Sequence, residues 1–182
     1  MNSKKLGGLI AFTVAELLGL VIWFEIVTAA GVTTAQQAQG IGVLLALLIV
    51  EHFIAFATNV GGAFPSARLV GISVSETVLW VVWLLIFGLF EGITGVVVAS
   101  IFLAVTMFVQ HSVEKNVFGR APLFGDLLKG EVTSFTLIEA GAAGAWLYLA
   151  MNGQTIAGVV VLTVGISIEH YIQSSQKVTV AP

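Results

Sequence analysis

The 182-residue chain is 58% hydrophobic and only 9% charged, where an ordinary soluble domain carries about 25% charged residues. That balance excludes a water-soluble fold, and the length suits one compact membrane domain over 1–182. The net charge of −3 matters less than where the charges sit, while the absence of cysteine excludes disulfides, iron–sulfur clusters, thiolate zinc sites and covalent c-type haem.

A helix needs about 20 apolar residues to span a bilayer. Six stretches qualify, at about 6–30, 40–60, 71–91, 94–113, 132–152 and 155–174. Met1 to Lys5 followed by an apolar run has the outline of a signal peptide. The run from Leu6 to about Ala30 is nevertheless long enough to span, and it carries the first copy of a repeat described below. Gly31 to Gly40, Gly92 to Gly95 and Asn152 to Gly153 mark the short turns between spans one and two, three and four, and five and six. The interfacial loop at about 114–131 is the longest connection. Within it, 122–130 reads as a short amphipathic helix that starts at Pro122, ends at Gly130 and anchors the chain at the cytoplasmic interface.

All seven basic residues fall on one side of this arrangement: Lys4, Lys5, Arg68, Lys115, Arg120, Lys129 and Lys177. By the positive-inside rule that side is cytoplasmic, so both termini of a multi-pass protein of the cell membrane face the cytoplasm.

The odd-numbered spans repeat one pattern, [ST]-x2-E-x6-W, three times: Thr13, Glu16 and Trp23; Ser73, Glu76 and Trp83; Thr136, Glu139 and Trp146. The even-numbered spans repeat a second. Val50-Glu51-His52, Val109-Gln110-His111 and Ile168-Glu169-His170 contain the only three histidines in the chain. The expected fold is therefore an all-α integral membrane protein of six transmembrane helices, built as three tandem helix-hairpin repeats (about 6–60, 71–113 and 132–174). Each unit contains two spans, so all three insert in one direction. That places a pseudo-threefold axis along the membrane normal.

At about 100° per residue the Ser/Thr, Glu and Trp of each odd span share one stripe. An ionisable residue costs about 2.5–3.5 kcal/mol at the centre of a membrane helix, so it faces the protein interior or a water cavity and has a partner. Glu16, Glu76, Glu139, His52, His111 and His170 are the candidate metal or proton-relay residues, each Glu being expected beside the His of its own hairpin. Glu51, Gln110, Glu169, Thr13, Ser73 and Thr136 are expected as supporting groups around them. Trp23, Trp83 and Trp146 would form an aromatic constriction. Trp80, outside the repeat, is assigned to packing against lipid or a neighbouring helix. Glu25 and Glu91, towards the outer ends of spans one and three, make either an acidic mouth or solvated helix ends.

Imidazole and carboxylate together suit Fe, Mn, Zn or Co, with a histidine-ligated haem ranked below them. The same groups relay protons, since histidine titrates near neutral pH. This constellation favours a small transporter or channel for protons or metal cations. The alternatives are a membrane metalloenzyme or redox subunit, which leaves enzymatic activity open, and an accessory subunit in which Glu–His pairs only fasten helices. Partners in this reading are the lipid bilayer and the ion, with membrane partner subunits or a homo-oligomer as the protein partners. Nucleic acid is excluded, because seven dispersed basic residues make no groove-sized patch. No Walker loop, HExxH, di-iron ExxH pair or nucleophile elbow is present.

Overall fold

The computed structural model describes residues 3–61, 64–120 and 130–175, and among these the regular structure is entirely helical. The helices are α1 (Ser3–Thr28), α2 (Thr34–Asn59), α3 (Ser66–Gly88), α4 (Gly92–Val117), α5 (Gly130–Met151) and α6 (Thr155–Ser175). All six are long and apolar enough to cross a membrane.

The polarity of their faces supports lipid as the solvent. Leu6, Ile10, Val14, Leu18 and Ile22 form an exposed stripe on α1 at a spacing of four. Ile93, Val97, Ile101, Val105 and Val109 do the same on α4, and Ile156, Val160, Val164 and Ile168 on α6. Residues at this spacing share one helix face. The interior meanwhile holds Glu16, Glu51, His52, Glu76, His111, Glu139, Glu169 and His170. A water-soluble protein distributes these classes the other way round.

Local chemistry sets the helix ends. The three short turns each contain a glycine with positive φ, Gly31 (+73°), Gly92 (+57°) and Gly153 (+73°), a backbone region that a Cβ disfavours. The α2 helix begins at Thr34, six residues before the expected span, because Thr33 and Gln36 form a reciprocal capping box. At the other boundary, α4 continues to Val117, so Glu114 and Lys115 are buried helical residues and not part of the interfacial loop. The amides of Phe118 and Arg120 bond back to the Glu114 and Lys115 carbonyls at 2.9 and 2.8 Å, with Gly119 at φ +66°. Two polar residues at the end of an apolar run resemble a loop in composition, yet these bonds satisfy the last carbonyls and keep them helical. Gly130 is the first residue of α5. The rest of the expected amphipathic helix at 122–130 lies outside the described residues.

The chain forms two compact units, Met1–Thr77 and Val78–Pro182, with the boundary inside α3. In unit 1, α1 and α2 pack as an antiparallel hairpin. Gly8 lies against Thr58, Gly19 against Leu44 and Leu47, and Gly40 against Ile26 and Val27. In unit 2, α5 packs against both α4 and α6. Gly144 meets Ser100 on α4, Gly158 meets Trp146, and Gly165 on α6 meets Ala142 on α5. Small residues at these crossings let the backbones approach closely, the usual basis of helix association in lipid.

A Cβ added at Gly165 would run into the Ala142 methyl, whereas one added at Gly141 would meet nothing within 4 Å. Gly165→Val is therefore expected to destabilise the fold by about 1–3 kcal/mol through overpacking. Gly141→Val should change it by less than about 0.5 kcal/mol, as surface substitutions do. Denaturant unfolding in micelles, followed by circular dichroism, measures both.

Candidate functional site

Helix register decides which polar residues meet. His52 lies seven residues before the end of α2, and Ser73 seven residues after the start of α3, with Glu76 one turn further in. His111 lies six residues before the end of α4 and Thr136 six after the start of α5, again with Glu139 one turn further in. A histidine thus stands level with the hydroxyl of the following repeat. Within one hairpin the match is poorer: Glu16 is twelve residues from the α1–α2 end of its helix and His52 eighteen, an offset of about 9 Å at 1.5 Å per residue.

In unit 1 the contacts follow that register. The Nδ1 atom of His52 lies 2.8 Å from the Leu48 carbonyl oxygen, 3.0 Å from Ser73 Oγ and 2.9 Å from Glu51 Oε2. A carbonyl oxygen only accepts, so Nδ1 carries a hydrogen. Ser73 accepts from the ring and donates to the Leu69 carbonyl at 2.9 Å, with the Leu48 carbonyl also within 3.2 Å. On the opposite side of the ring, Nε2 lies 3.4 Å from Glu76 Oε2. With Nδ1 committed as donor, two lone-pair atoms face each other there unless a positive charge sits between them. That charge is a proton on either atom or a bound cation.

The same construction recurs in unit 2. His111 Nδ1 lies 3.0 Å from Thr136 Oγ1, and Nε2 lies 3.1 Å from Glu139 Oε2 and 3.8 Å from Glu169 Oε1. The ring of Phe135 packs edge-on against His111 at 6.0 Å. Glu169 Oε2 is 3.4 Å from His170 Nε2, and Gln173 Nε2 donates to Glu169 Oε1. Glu169 therefore touches both histidines of its unit directly, as Glu51 touches His52. Gln110, the neutral member of this position, is buried.

In unit 1, Thr13, Glu16 and Trp23 lie on the buried face of α1, with Glu16 only 4% exposed. Trp83 and Trp146 stack in unit 2 with ring centroids 6.3 Å apart and an interplanar angle of 23°. Trp80 is fully buried and meets Trp83 edge-on at 5.4 Å, so it packs on protein and not on lipid. Nε1 of Trp83 is buried without a hydrogen-bond partner among the described residues. Glu25 and Glu91 are exposed.

Some polar residues had no part in the sequence pattern. Thr77 donates to the Ser73 carbonyl at 2.8 Å. At the end of α4, Lys115 is buried with its ammonium 5.5 Å from the centroid of the Phe135 ring, and Arg120 is buried over Phe118 at 5.2 Å. Burial pulls the Arg120 guanidinium below its ordinary value, while Glu114 and then Glu169 draw it back up. Gln173 follows Glu169 by four residues and could have been found from helical spacing. Arg120 follows the helix end, where no periodicity operates.

Comparison with known protein families, curated proteins and solved structures finds no match. The side-chain geometry therefore carries the functional argument.

Each hydroxyl fixes the ring face that its histidine presents to the carboxylate. Ser73→Ala is expected to cost about 1 kcal/mol, the net worth of one hydrogen bond. Ser73→Thr, which supplies the group present at Thr136, should recover most of it. Denaturant unfolding checks the energies, and 15N NMR of labelled histidine checks that His52 keeps its Nδ1 proton in wild type.

Proposed function

We propose that this protein is a small membrane transporter or channel for protons or metal cations, with the buried Glu/His groups as its relay or binding site. One observation carries the reading. In both units an imidazole held through Nδ1 by a hydroxyl turns Nε2 toward a buried carboxylate, at 3.4 Å for His52 and Glu76 and 3.1 Å for His111 and Glu139. Each such pair accommodates one positive charge within the protein interior, which is the elementary requirement for passing a cation. Helix fastening alone gives no reason for titratable pairs, since interhelical hydrogen bonds in lipid average only about 0.6 kcal/mol.

The tandem sequence pattern supports a pseudo-threefold arrangement of the hairpins about a polar pathway, with the repeat tryptophans as its aromatic constriction. The distribution of basic residues supports a multi-pass protein of the cell membrane with both termini in the cytoplasm.

Reconstituted into liposomes, the protein should carry a cation flux that Glu76→Gln and His52→Ala each reduce by at least tenfold, equivalent to about 1.4 kcal/mol. Flux indifferent to both substitutions refutes the assignment of these residues. The orientation is tested separately, because a chain without cysteine gives a clean background for thiol labelling. In intact cells Gln154→Cys should react with an impermeant maleimide, and Lys5→Cys only after permeabilisation.

A further inference from the structure

We infer that unit 1 carries protons, and that His52 passes each one through its ring from Glu76 on the Nε2 side to Glu51 on the Nδ1 side. The inference deepens the cation-transport reading and rests on it for the existence of a flux. Each ring nitrogen faces its own carboxylate: Glu76 Oε2 lies 3.4 Å from Nε2, and Glu51 Oε2 lies 2.9 Å from Nδ1. All three side chains are buried. On α1, a carboxylate oxygen of Glu16 comes within 4.8 Å of one from Glu76, which extends the line of acidic groups beyond the ring. The hydrogen on Nδ1 is offered to three acceptors, the Leu48 carbonyl at 2.8 Å, Ser73 Oγ at 3.0 Å and Glu51. Of these only the carboxylate becomes a stable acid on taking the proton. A metal ion ligated at Nε2 has no route across the ring, whereas a proton that enters at one nitrogen releases another from the opposite one.

The transfer balances in two steps. Protonated Glu76 gives its Oε2 hydrogen to Nε2, leaving a carboxylate beside an imidazolium. Nδ1 then gives its hydrogen to Glu51 Oε2, leaving a neutral ring with hydrogen on Nε2 alone. The net change is one proton moved from Glu76 to Glu51, and a turn of the neutral ring resets it for the next. Ser73 suits both tautomers, because a hydroxyl either accepts or donates. It accepts from Nδ1–H while its own hydrogen points to the Leu69 carbonyl, 2.9 Å away, and turns that hydrogen to Nδ1 once the ring proton has left. In unit 2 the corresponding route is closed. Gln110 stands at the Glu51 position of the repeat, Glu139 and Glu169 both lie on the Nε2 side of His111, and an amide does not take up a proton.

The test uses the full chain in liposomes with a trapped pH-sensitive dye and an imposed membrane potential, and Mn²⁺ flux as the comparison. Wild type should admit protons. Glu51→Gln should lower that flux at least about tenfold, a conservative share of the roughly 10²-fold that a positioned acid–base group contributes. Its unfolding midpoint in denaturant should stay unchanged, since a glutamine oxygen still accepts from Nδ1. Glu51→Asp, which keeps a carboxylate, should conduct better than Glu51→Gln, and Glu91→Gln, at an exposed position, should match wild type. Should Glu51→Gln fail to fold, Ser73 decides: Ser73→Ala must lower the proton flux and Ser73→Thr restore it. Proton flux undiminished in Glu51→Gln, or in Ser73→Ala where that variant has to decide, overturns the relay. If Glu76→Gln and His52→Ala still abolish that flux, the transport reading stands. Mn²⁺ flux without proton flux likewise ends this inference and leaves transport standing. A protein that moves no ion ends both.

Discussion

A histidine in hydrocarbon has two ring nitrogens to satisfy, and in each unit of this protein it does so by splitting them between two different partners. One nitrogen is tied to a hydroxyl on the next helix, and the other faces a carboxylate one turn further along that same helix. The pairing couples two costs, since neither an unpartnered imidazole nor an unpartnered carboxylate is tolerated at this depth. It also constrains the helices: α2 must present His52 level with Ser73, and α4 must present His111 level with Thr136. A slide of one turn would separate ring from hydroxyl by about 5.4 Å.

Glycine and other small residues make that register attainable. Close contacts at Gly8 with Thr58 and at Gly165 with Ala142 bring backbones together where larger side chains would hold them apart. The outward stripes of Val, Ile and Leu then meet lipid, and the polar groups are left inside. With no hydrophobic effect to drive helices together within a bilayer, such close packing and the polar pairs supply the specificity of association. In the function proposed above, the same polar pairs serve as the site, so stability and transport would draw on one set of side chains.

Glu51 and Glu169 occupy the same place in the recurring sequence pattern but make different contacts. Both precede a histidine, and both contact it, yet Glu169 also reaches back to His111 and is braced by Gln173. At the corresponding place beside His111 the chain has Gln110, which carries no charge. The second unit thus concentrates two carboxylates around one imidazole without adding a third. The buried Lys115 and Arg120 stand at the end of α4, where Glu114 and Glu169 act electrostatically on the guanidinium.

Six apolar runs, the turn glycines and the two recurring patterns were legible in the chain itself, because hydrophobic length and residue spacing are one-dimensional properties. The candidate residues were legible for the same reason: a carboxylate or imidazole within an apolar run declares itself. Partner choice was not. Glu76 meets His52, which precedes it in the chain, and Glu139 likewise meets His111, although membership of one hairpin favours the other pairing. Depth along the bilayer normal decides this, and depth depends on where each helix begins and ends. Those ends are set by the Thr33–Gln36 cap, the α4 extension past Glu114 and the start of α5 at Gly130. Composition blurs each of them by several residues, which is enough to exchange one partner for another. Residue type therefore came from the chain, while the contacts that give each residue its chemistry came only from helices packed at a defined register.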